Sequence, residues 1–498
     1  MLDISSTQLI VGFVVLFISW LYMNVRRPSG MPPGPTPYPI TGSMSVLMGN
    51  DPPQRAMKEM SKVYGDIFSI KVGSYWSVVL NTYELVQEAL LTKVNDFSGR
   101  PPSFIFDWYT DGQKDIAVAN PTPTWKYHRL LAHTSIRKFA AGEYLDNLHD
   151  EIRPELSKFI MSKMEKPFDP NEFIVPAIYY VIGSMCFGYK YELNDPRLVK
   201  YVDIAKKLND SFDNGWTGDF IPWFKYIPNP YFYAFKKIGE AMFSYVLKEV
   251  KLHTDKFDPD APANDLIDLL LKAQADAEAQ GGVDEKKKLT DTHLKQIIID
   301  LFTAGIDTQN TVLHWAIGCL ADNPEVQDKI KQEIDDVIGD RPPRLSDRGK
   351  LPYTEATLME VMRYRTPVPL ALTHRAITDS SIGSYKVPED TWVFINLWAL
   401  HNDPKYWDNP DKFRPERFLD AKNAVKQRLP SFLPFSTGRR VCVGESLAKA
   451  NSFMIFSWLV QNYKFVKPED TKGPVAVHDK PRILTFAKDY KVKVELWK

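Results

Sequence analysis

Residues Phe435–Gly444 read FSTGRRVCVG, and the meaning of Cys442 within them decides the fold. The chain has three cysteines, Cys186, Cys319 and Cys442. The first two sit in apolar runs, VIGSMCFG and HWAIGCLAD, where a thiol behaves as a small core side chain. Cys442 lies between Gly438 and Gly444, follows Arg439 and Arg440, and opens onto ESLAKANSFMIFSWLV, an amphipathic helical pattern. Two guanidiniums and the positive end of a helix both favour a thiolate, so this thiol is expected to have a lowered pKa. The glycines allow a tight turn and close approach to a flat partner. A thiolate in such a loop suits a metal, and haem iron is one that a single cysteine can hold. A helix-start cysteine among ordinary loop glycines is the plainer reading, and the rest of the chain must decide between them.

A chain of 498 residues can bury a large core, and length alone points to about three domains. The stretches that carry chemistry run from Arg100 to Gly444, so one large unit is the better reading. The 62 basic and 62 acidic residues balance, which leaves no argument for nucleic acid or a polyanionic substrate. Aromatic residues make up 13%, a share that fits apolar pockets. An odd cysteine count gives no disulfide framework and suits a reducing compartment.

Leu9 to Met23 is almost wholly apolar, and extended to Ile4 and Val25 it spans about 22 residues, or ~33 Å of helix, enough to cross a bilayer. Asp3 precedes it and Arg26 and Arg27 follow, which keeps the rest of the chain cytosolic by the positive-inside rule. No basic n-region or small-residue cleavage site marks a removed signal, so residues 1–27 read as an uncleaved signal-anchor. Residues 28–36, with MPPGP, read as a stiff Pro-rich hinge, and 37–498 as one catalytic domain.

Alternation over Tyr64 to Leu80 predicts a hairpin. Asn95 to Pro101 closes the next helix, and Phe104, Phe106, Trp108 and Tyr109 follow in a loop-like setting. In WKYHR, Trp125 and Arg129 share a helical face, so an indole N–H and a guanidinium can point together at an anion. A cation–π contact at the surface is the commoner use of such a pair. Amphipathic helices fill Leu145 to Glu285, interrupted between Asn209 and Asn229, and Lys251 to Lys288 reads as a solvated connection.

A long helix is predicted from Thr290 to Ala321, stopped by Asp322-Asn323-Pro324. It carries Ala304-Gly305-Ile306-Asp307-Thr308 amid apolar residues, where an acid and a hydroxyl each need a partner. Thr308 is expected either to back-bond to the preceding turn or, with the helix opened at Gly305, to face a slot. Further on, Glu360 and Arg363 lie at i and i+3 in EVMR, and FRPERF brings Arg417. A Glu–Arg pair at this spacing is usually a surface contact worth ~0.2–0.5 kcal/mol.

The pattern F-x-x-G-x-R-x-C-x-G, met by Phe435, Gly438, Arg440, Cys442 and Gly444, resembles the cysteine loop of the cytochrome P-450 superfamily. The AGIDT, EVMR and WKYHR stretches match that family's motifs in its order, so the resemblance covers essentially the whole chain. It implies a mainly α fold with small β-sheets, a thiolate-ligated haem b (iron protoporphyrin IX) on Cys442, and propionate contacts from Arg100, Trp125, Arg129, His374 and Arg440. It implies that Thr308 and Asp307 manage dioxygen and protons, and that Glu360, Arg363 and Arg417 form a buried structural triad. Family members often have a second Thr after Thr308; here Gln309 stands there. Pocket walls carried over by position are Phe106, Ala304, Val368, Leu372, Ile483 and Leu484.

Stretches such as FSGRP, SDRGKLPYTEA and INLWALHNDPKYW resemble the microsomal steroid 17-hydroxylase/17,20-lyases, and DFIPWFKYIPNP and IIIDLFTAGIDT the neighbouring aryl-hydrocarbon hydroxylases. Asn209 matches a helix Asn that binds the steroid A-ring oxygen in the first group. Arg348 matches a position presented to a small b-type cytochrome, whereas Met359 stands where another Arg is expected, against carbon–carbon cleavage. The resemblance therefore implies a monooxygenase of the endoplasmic reticulum membrane acting on a lipophilic, steroid-like molecule. Electrons would come from NADPH–cytochrome P-450 reductase docking near Lys126, Arg137, Lys138, Arg439 and Lys449. A hydroxylase of aromatics or fatty acids is the alternative; a haem-thiolate isomerase or synthase and a haem-based sensor rank below it.

Overall fold

The computed structural model describes residues 6–49, 51–190, 192, 195–213, 217–279, 288–478 and 483–497. Its axis is Asp291–Asp322, an unbroken α-helix of 32 residues. Thr290 caps it, its hydroxyl accepting from the His293 N–H, and Pro324 ends the run by starting the next helix. Ile297, Ile298, Leu313 and Trp315 on it are fully buried, because helices pack on it from several sides. Among these are Asn171–Phe187, Pro230–Thr254, Leu266–Ala279, Pro352–Arg365 and the cysteine helix Glu445–Asn462. The helix does not open at Gly305: the Thr308 hydroxyl donates to Ala304 O (2.8 Å) and the Thr311 hydroxyl to Asp307 O (2.7 Å). Gly305 packs on Ile182 of the Asn171–Phe187 helix, where an added Cβ would find ordinary contact at 3.6 Å.

Sheets are small, as expected. Ile67–Val72 and Tyr75–Leu80 pair antiparallel, Trp392–Ile395 joins the second strand in parallel, and His374–Arg375 closes that four-stranded edge. The hairpin turns at Gly73, whose φ of +58° and whose closeness to Phe220 O exclude a side chain. The Pro-rich segment lies along this sheet: Ser69 donates from its N–H to Pro33 O (2.7 Å) and from its hydroxyl to Pro32 O (2.7 Å). Ahead of it, Ser6–Val25 is helical, and its Gln8–Val25 stretch has a mean hydropathy of 1.9 with none of it buried.

Two expectations change. Phe104–Tyr109 is a short helix, because the Ser103 hydroxyl accepts from the Phe106 N–H (3.1 Å) and caps it. The stretch 251–288 is no mere solvated connection: Leu266–Ala279 forms a helix that buries Leu266, Ile267 and Leu270 in the main core.

Glu360 and Arg363 are both wholly buried, the Arg363 guanidinium donating two bonds to the Glu360 carboxylate at 2.7 and 2.8 Å. Arg417 adds Nε to Glu360 Oε1 (3.1 Å), and its remaining N–H groups take the carbonyls of Asp408, Asn409 and Lys412. This buried triad fastens the 408–418 segment to the Pro352–Arg365 helix. Glu360→Ala would leave two buried guanidiniums without their carboxylate, and we expect a loss of ~3–5 kcal/mol in urea unfolding.

Buried histidines set an acid limit. Burial holds His149 and His401 down to about 3 and His314 to about 4. Each takes its proton only on unfolding, so its contribution is complete above the unfolded value of about 6.5 and is lost as pH falls through the window below it. His253 works in the other sense: burial opposes its charge, but the hydrogen bonds its ring donates to Asp265 and the Glu249 carbonyl raise it to about 9. Its contribution is complete below about 6.5 and lost above 9. Counting His128, His293 and His374, six histidines are lowered against one raised. The urea midpoint followed by tryptophan fluorescence should therefore fall between about pH 7 and about pH 5, with the raised acids Asp219 and Asp300 reducing the fall.

Candidate active site

Between the long helix and the cysteine loop lies a cavity of about 990 Å³, at the upper end of the ~300–1,000 Å³ usual for ligand sites. Cys442 lines one side of it, with Phe435, Val443 and Gly444. The loop is closed by the Cys442 N–H donating to Phe435 O (3.0 Å). Gly438 makes that closure possible: its φ is +74°, and a Cβ there would stand 2.1 Å from Leu90 O. Gly444 has no such need, since a Cβ there would meet only the Cys442 sulfur at 3.9 Å.

The thiol's electrostatics differ from the sequence expectation. Burial pushes Cys442 up, against the backbone N–H groups of Gly444 and Glu445 and the charge of Arg129. The helix start therefore acts as expected, but the two preceding arginines do not face the sulfur. Arg439 donates to Asn95 Oδ1, and Arg440 donates from Nε to Ser98 O (2.9 Å) and from Nη2 to Ala119 O (2.6 Å). Without a metal's charge the protein leaves this group a thiol; a bound cation inverts that balance.

Arg100, Arg129, Arg440 and His374 converge on one end of the cavity. Arg440 is 6% exposed, and its Nη1 is buried with no hydrogen-bond partner. Burial and the neighbouring Arg100 and Arg129 push it down to about 8; burial and Arg129 push Arg100 down to about 9. Such crowding of positive charge calls for an anion. His374 donates from Nδ1 to Phe97 O (2.7 Å) and is held well below its ordinary pKa by burial and Arg100. Its Nε2 is then an acceptor, so His374 meets an anion as a donor only after gaining a proton. Trp125 corrects the expectation. Its indole N–H donates to Ile116 O (3.1 Å), as a buried indole requires, and its ring lies under Arg440 at 4.1 Å. It supports a guanidinium and does not line the cavity.

Across the cavity stand Ala304, Asp307 and Thr308 of the long helix, with Phe106, Val368 and Leu484 around them. Leu372 and Ile483 also line it, and the Leu372 carbonyl accepts from Arg100 Nη1 (2.6 Å) at the cationic end. The Asn209 side chain lies outside the described residues, although Leu208 beside it lines the cavity. On the outer face of the cysteine side, Lys126, Arg137 and Lys138 are exposed, and Lys449 is paired with Glu445 (2.6 Å). Arg348 donates to Glu355 (3.2 Å).

Two acids were missed. Asp300 lines the cavity and accepts the Ile116 N–H (2.7 Å); Asp115 accepts the N–H groups of Ala117 (2.9 Å) and Val118 (2.6 Å). Burial and Asp115 push Asp300 well above the carboxylate range, and burial raises Asp115 although its backbone bonds and Arg440 oppose this. Asp300 carried a readable signal: it interrupts an apolar run eight residues before Thr308, on the same helix face.

The cytochrome P450 family model matches residues 32–494. A steroid 17-alpha-hydroxylase/17,20 lyase of Rana dybowskii is 36% identical over 95% of this chain and 92% of its own length. Human cytochrome P450 2U1 is 33% identical over 95% and 91% of the two chains, and the cytochrome P450 1A1 of Felis catus 33% over 94% and 93%. Among solved structures, a zebrafish cytochrome P450 with progesterone superposes with a TM-score of 0.80 at 32% identity, covering 89% of this chain and 99% of its own. With its long helix, its cysteine loop and these relatives in agreement, the chain belongs to the cytochrome P450 family of haem-thiolate monooxygenases.

Proposed function

We propose that this chain is a membrane-anchored monooxygenase that hydroxylates a steroid-like molecule, with Cys442 as the haem ligand. The observation that carries the reading is one cavity bordered by a thiol, a cationic end short of negative charge, an acid–hydroxyl pair and apolar walls. The residues fit the cofactor: Cys442 would hold the iron, and Arg100, Arg129 and Arg440, with its orphaned Nη1, would take the propionates. When bound, the haem supplies dioxygen activation, so that one oxygen atom enters the substrate and the other leaves as water.

The chain's own part is positioning and proton delivery. Thr308 rests with its hydroxyl on Ala304 O, and turning that hydroxyl into the cavity costs one back-bond that the helix tolerates losing. Asp307, one residue away and also at the cavity wall, would bring protons through water. Phe106, Val368, Leu372, Ile483 and Leu484 would hold an apolar guest and exclude solvent. Ser6–Val25 would cross the membrane of the endoplasmic reticulum and leave residues 37–498 in the cytosol. Electrons would arrive from NADPH–cytochrome P-450 reductase near Lys126, Arg137 and Lys138, and Arg348 would be presented to a small b-type cytochrome. The steroid preference rests on the 17-alpha-hydroxylase relatives and the progesterone-bound neighbour.

Replacing Thr308 with Ala should lower coupled product formation by roughly one to two orders of magnitude and raise peroxide release per NADPH. Unchanged product yield would remove Thr308 from proton handling. A spectral titration of the holoenzyme with progestogens, androgens and planar aromatics should give the low- to high-spin shift at the lowest concentration for a progestogen. A tighter response to the planar aromatics would move the assignment to the aromatic-hydroxylating alternative.

A further inference from the structure

Gln309, which replaces the hydroxyl residue expected after Thr308, starts a buried hydrogen-bond chain across three helices. Asn451 Nδ2 on the cysteine helix donates to Gln309 Oε1 (2.7 Å), and Asn451 Oδ1 pairs with His149 Nε2 (2.9 Å) on the Glu143–Lys163 helix. All three side chains are inside the protein, at 3%, 0% and 2% exposure. The imidazole is neutral, held down by burial and Arg153, so its N–H is the first donor and the chain runs His149 to Asn451 to Gln309. Carboxamides do not hand on protons, so this is an orienting device and not a proton route.

Its placement says what it orients. Gln309 follows Thr308 directly and lines the cavity; Asn451 lies nine residues after Cys442 on the helix that the cysteine loop enters. Leu313 of the long helix and Leu447 and Phe453 of the cysteine helix are buried in one shared apolar core. A non-directional contact lets two helices rotate or slide by fractions of an ångström, whereas two directional hydrogen bonds in series favour one register.

We propose that the Gln309–Asn451–His149 chain fixes the register of the long helix against the cysteine helix, so that Gln309 and Asn451 are positioning residues for Thr308 and Cys442. The part concerning Thr308 rests on the monooxygenase reading; the part concerning Cys442 needs only a thiolate-bound haem.

The test compares the full-length holoenzyme with Gln309→Met, which orphans the Asn451 amide, and with a triple variant, Gln309→Met, Asn451→Leu and His149→Phe. The triple removes both hydrogen bonds with both partners of each, leaves none of the three groups orphaned, and should fold normally. Two readouts are taken: the melting midpoint, and the rate at which the reduced carbon-monoxide complex loses its thiolate Soret band in urea below the unfolding range. The single variant should melt several degrees lower, and the triple should return to within a few degrees of the parent. Thiolate loss should nevertheless be several-fold faster than the parent in both, with more peroxide per NADPH. If the triple matches the parent in thiolate loss, the chain is merely structural and the proposal is overturned. It is equally overturned if neither variant changes that rate. Should the parent itself yield no hydroxylated product with any substrate, the monooxygenase reading fails, while the Soret comparison still decides whether the chain sets the register.

Discussion

One sulfur must face an apolar cavity in a place where the protein by itself does not stabilise its anion. Burial raises the Cys442 thiol, and only Arg129 and the two N–H groups at the start of the cysteine helix oppose it. Much of the surrounding architecture follows from holding that sulfur in place without hydrogen-bonding it strongly. The loop is fixed by backbone: the Cys442 N–H on Phe435 O, and Gly438 in a left-handed conformation against Leu90 O. The Arg129 guanidinium donates to Val441 O, pinning the residue before the cysteine and not the sulfur itself. A strong donor on the sulfur would compete with any metal for its electron density.

The long helix meets a second constraint, which is to carry polar groups through a core without breaking. Asp300 is satisfied by a backbone N–H from another segment, Thr308 and Thr311 by their own helix, and Gln309 by a neighbouring helix. Each solution leaves the i to i+4 ladder intact, which is why Gly305 does not have to open it. The Thr308 back-bond is therefore a resting state in keeping with function, since it holds the hydroxyl at the cavity wall while no guest competes for it.

What could be read from the sequence was local or imposed by chemistry. Gly438, Arg440 and Cys442 lie within five residues, and the left-handed turn that glycine supplies is needed wherever such a loop occurs. Glu360 and Arg363 are one helical turn apart, so their pairing was legible even though their complete burial was not. The direction of hydrogen bonds that cross the fold was not legible. Trp125 and Arg129 share a face as expected, yet the indole N–H turns to Ile116, because a buried carbonyl there needed a donor. Gln309 finds Asn451 142 residues later and Asn451 finds His149 302 residues earlier, separations at which no periodicity operates. The sign of the Cys442 shift was misjudged for a related reason: the charges of Arg439 and Arg440 adjoin it in sequence but are spent on Asn95, Ser98 and Ala119.

The turn 115–119 joins these constraints into one object. Its N–H groups are held by carboxylates, Ile116 by Asp300 and Ala117 and Val118 by Asp115. Three of its carbonyls are held from the cationic end: Ile116 by Trp125, whose ring lies under Arg440, Ala117 by the Arg100 Nε (3.2 Å) and Ala119 by the Arg440 Nη2. An irregular segment inside a protein must satisfy its backbone somewhere, and here Arg100, Arg440 and Asp300, which border the site, supply part of that satisfaction. The cationic cradle and the cavity wall facing a substrate are therefore not separate regions placed side by side. A guest that displaced Ile116 or Ala117 would pull on the same guanidiniums that await an anion, and an anion that drew Arg100 or Arg440 away from those carbonyls would loosen the wall. Six hydrogen bonds on one short stretch of backbone thus join the wall at Ile116 and Ala117 to the guanidiniums of Arg100 and Arg440. The two acids divide the work: Asp300 ties the turn to the long helix through the Ile116 N–H, and Asp115 braces the turn from within.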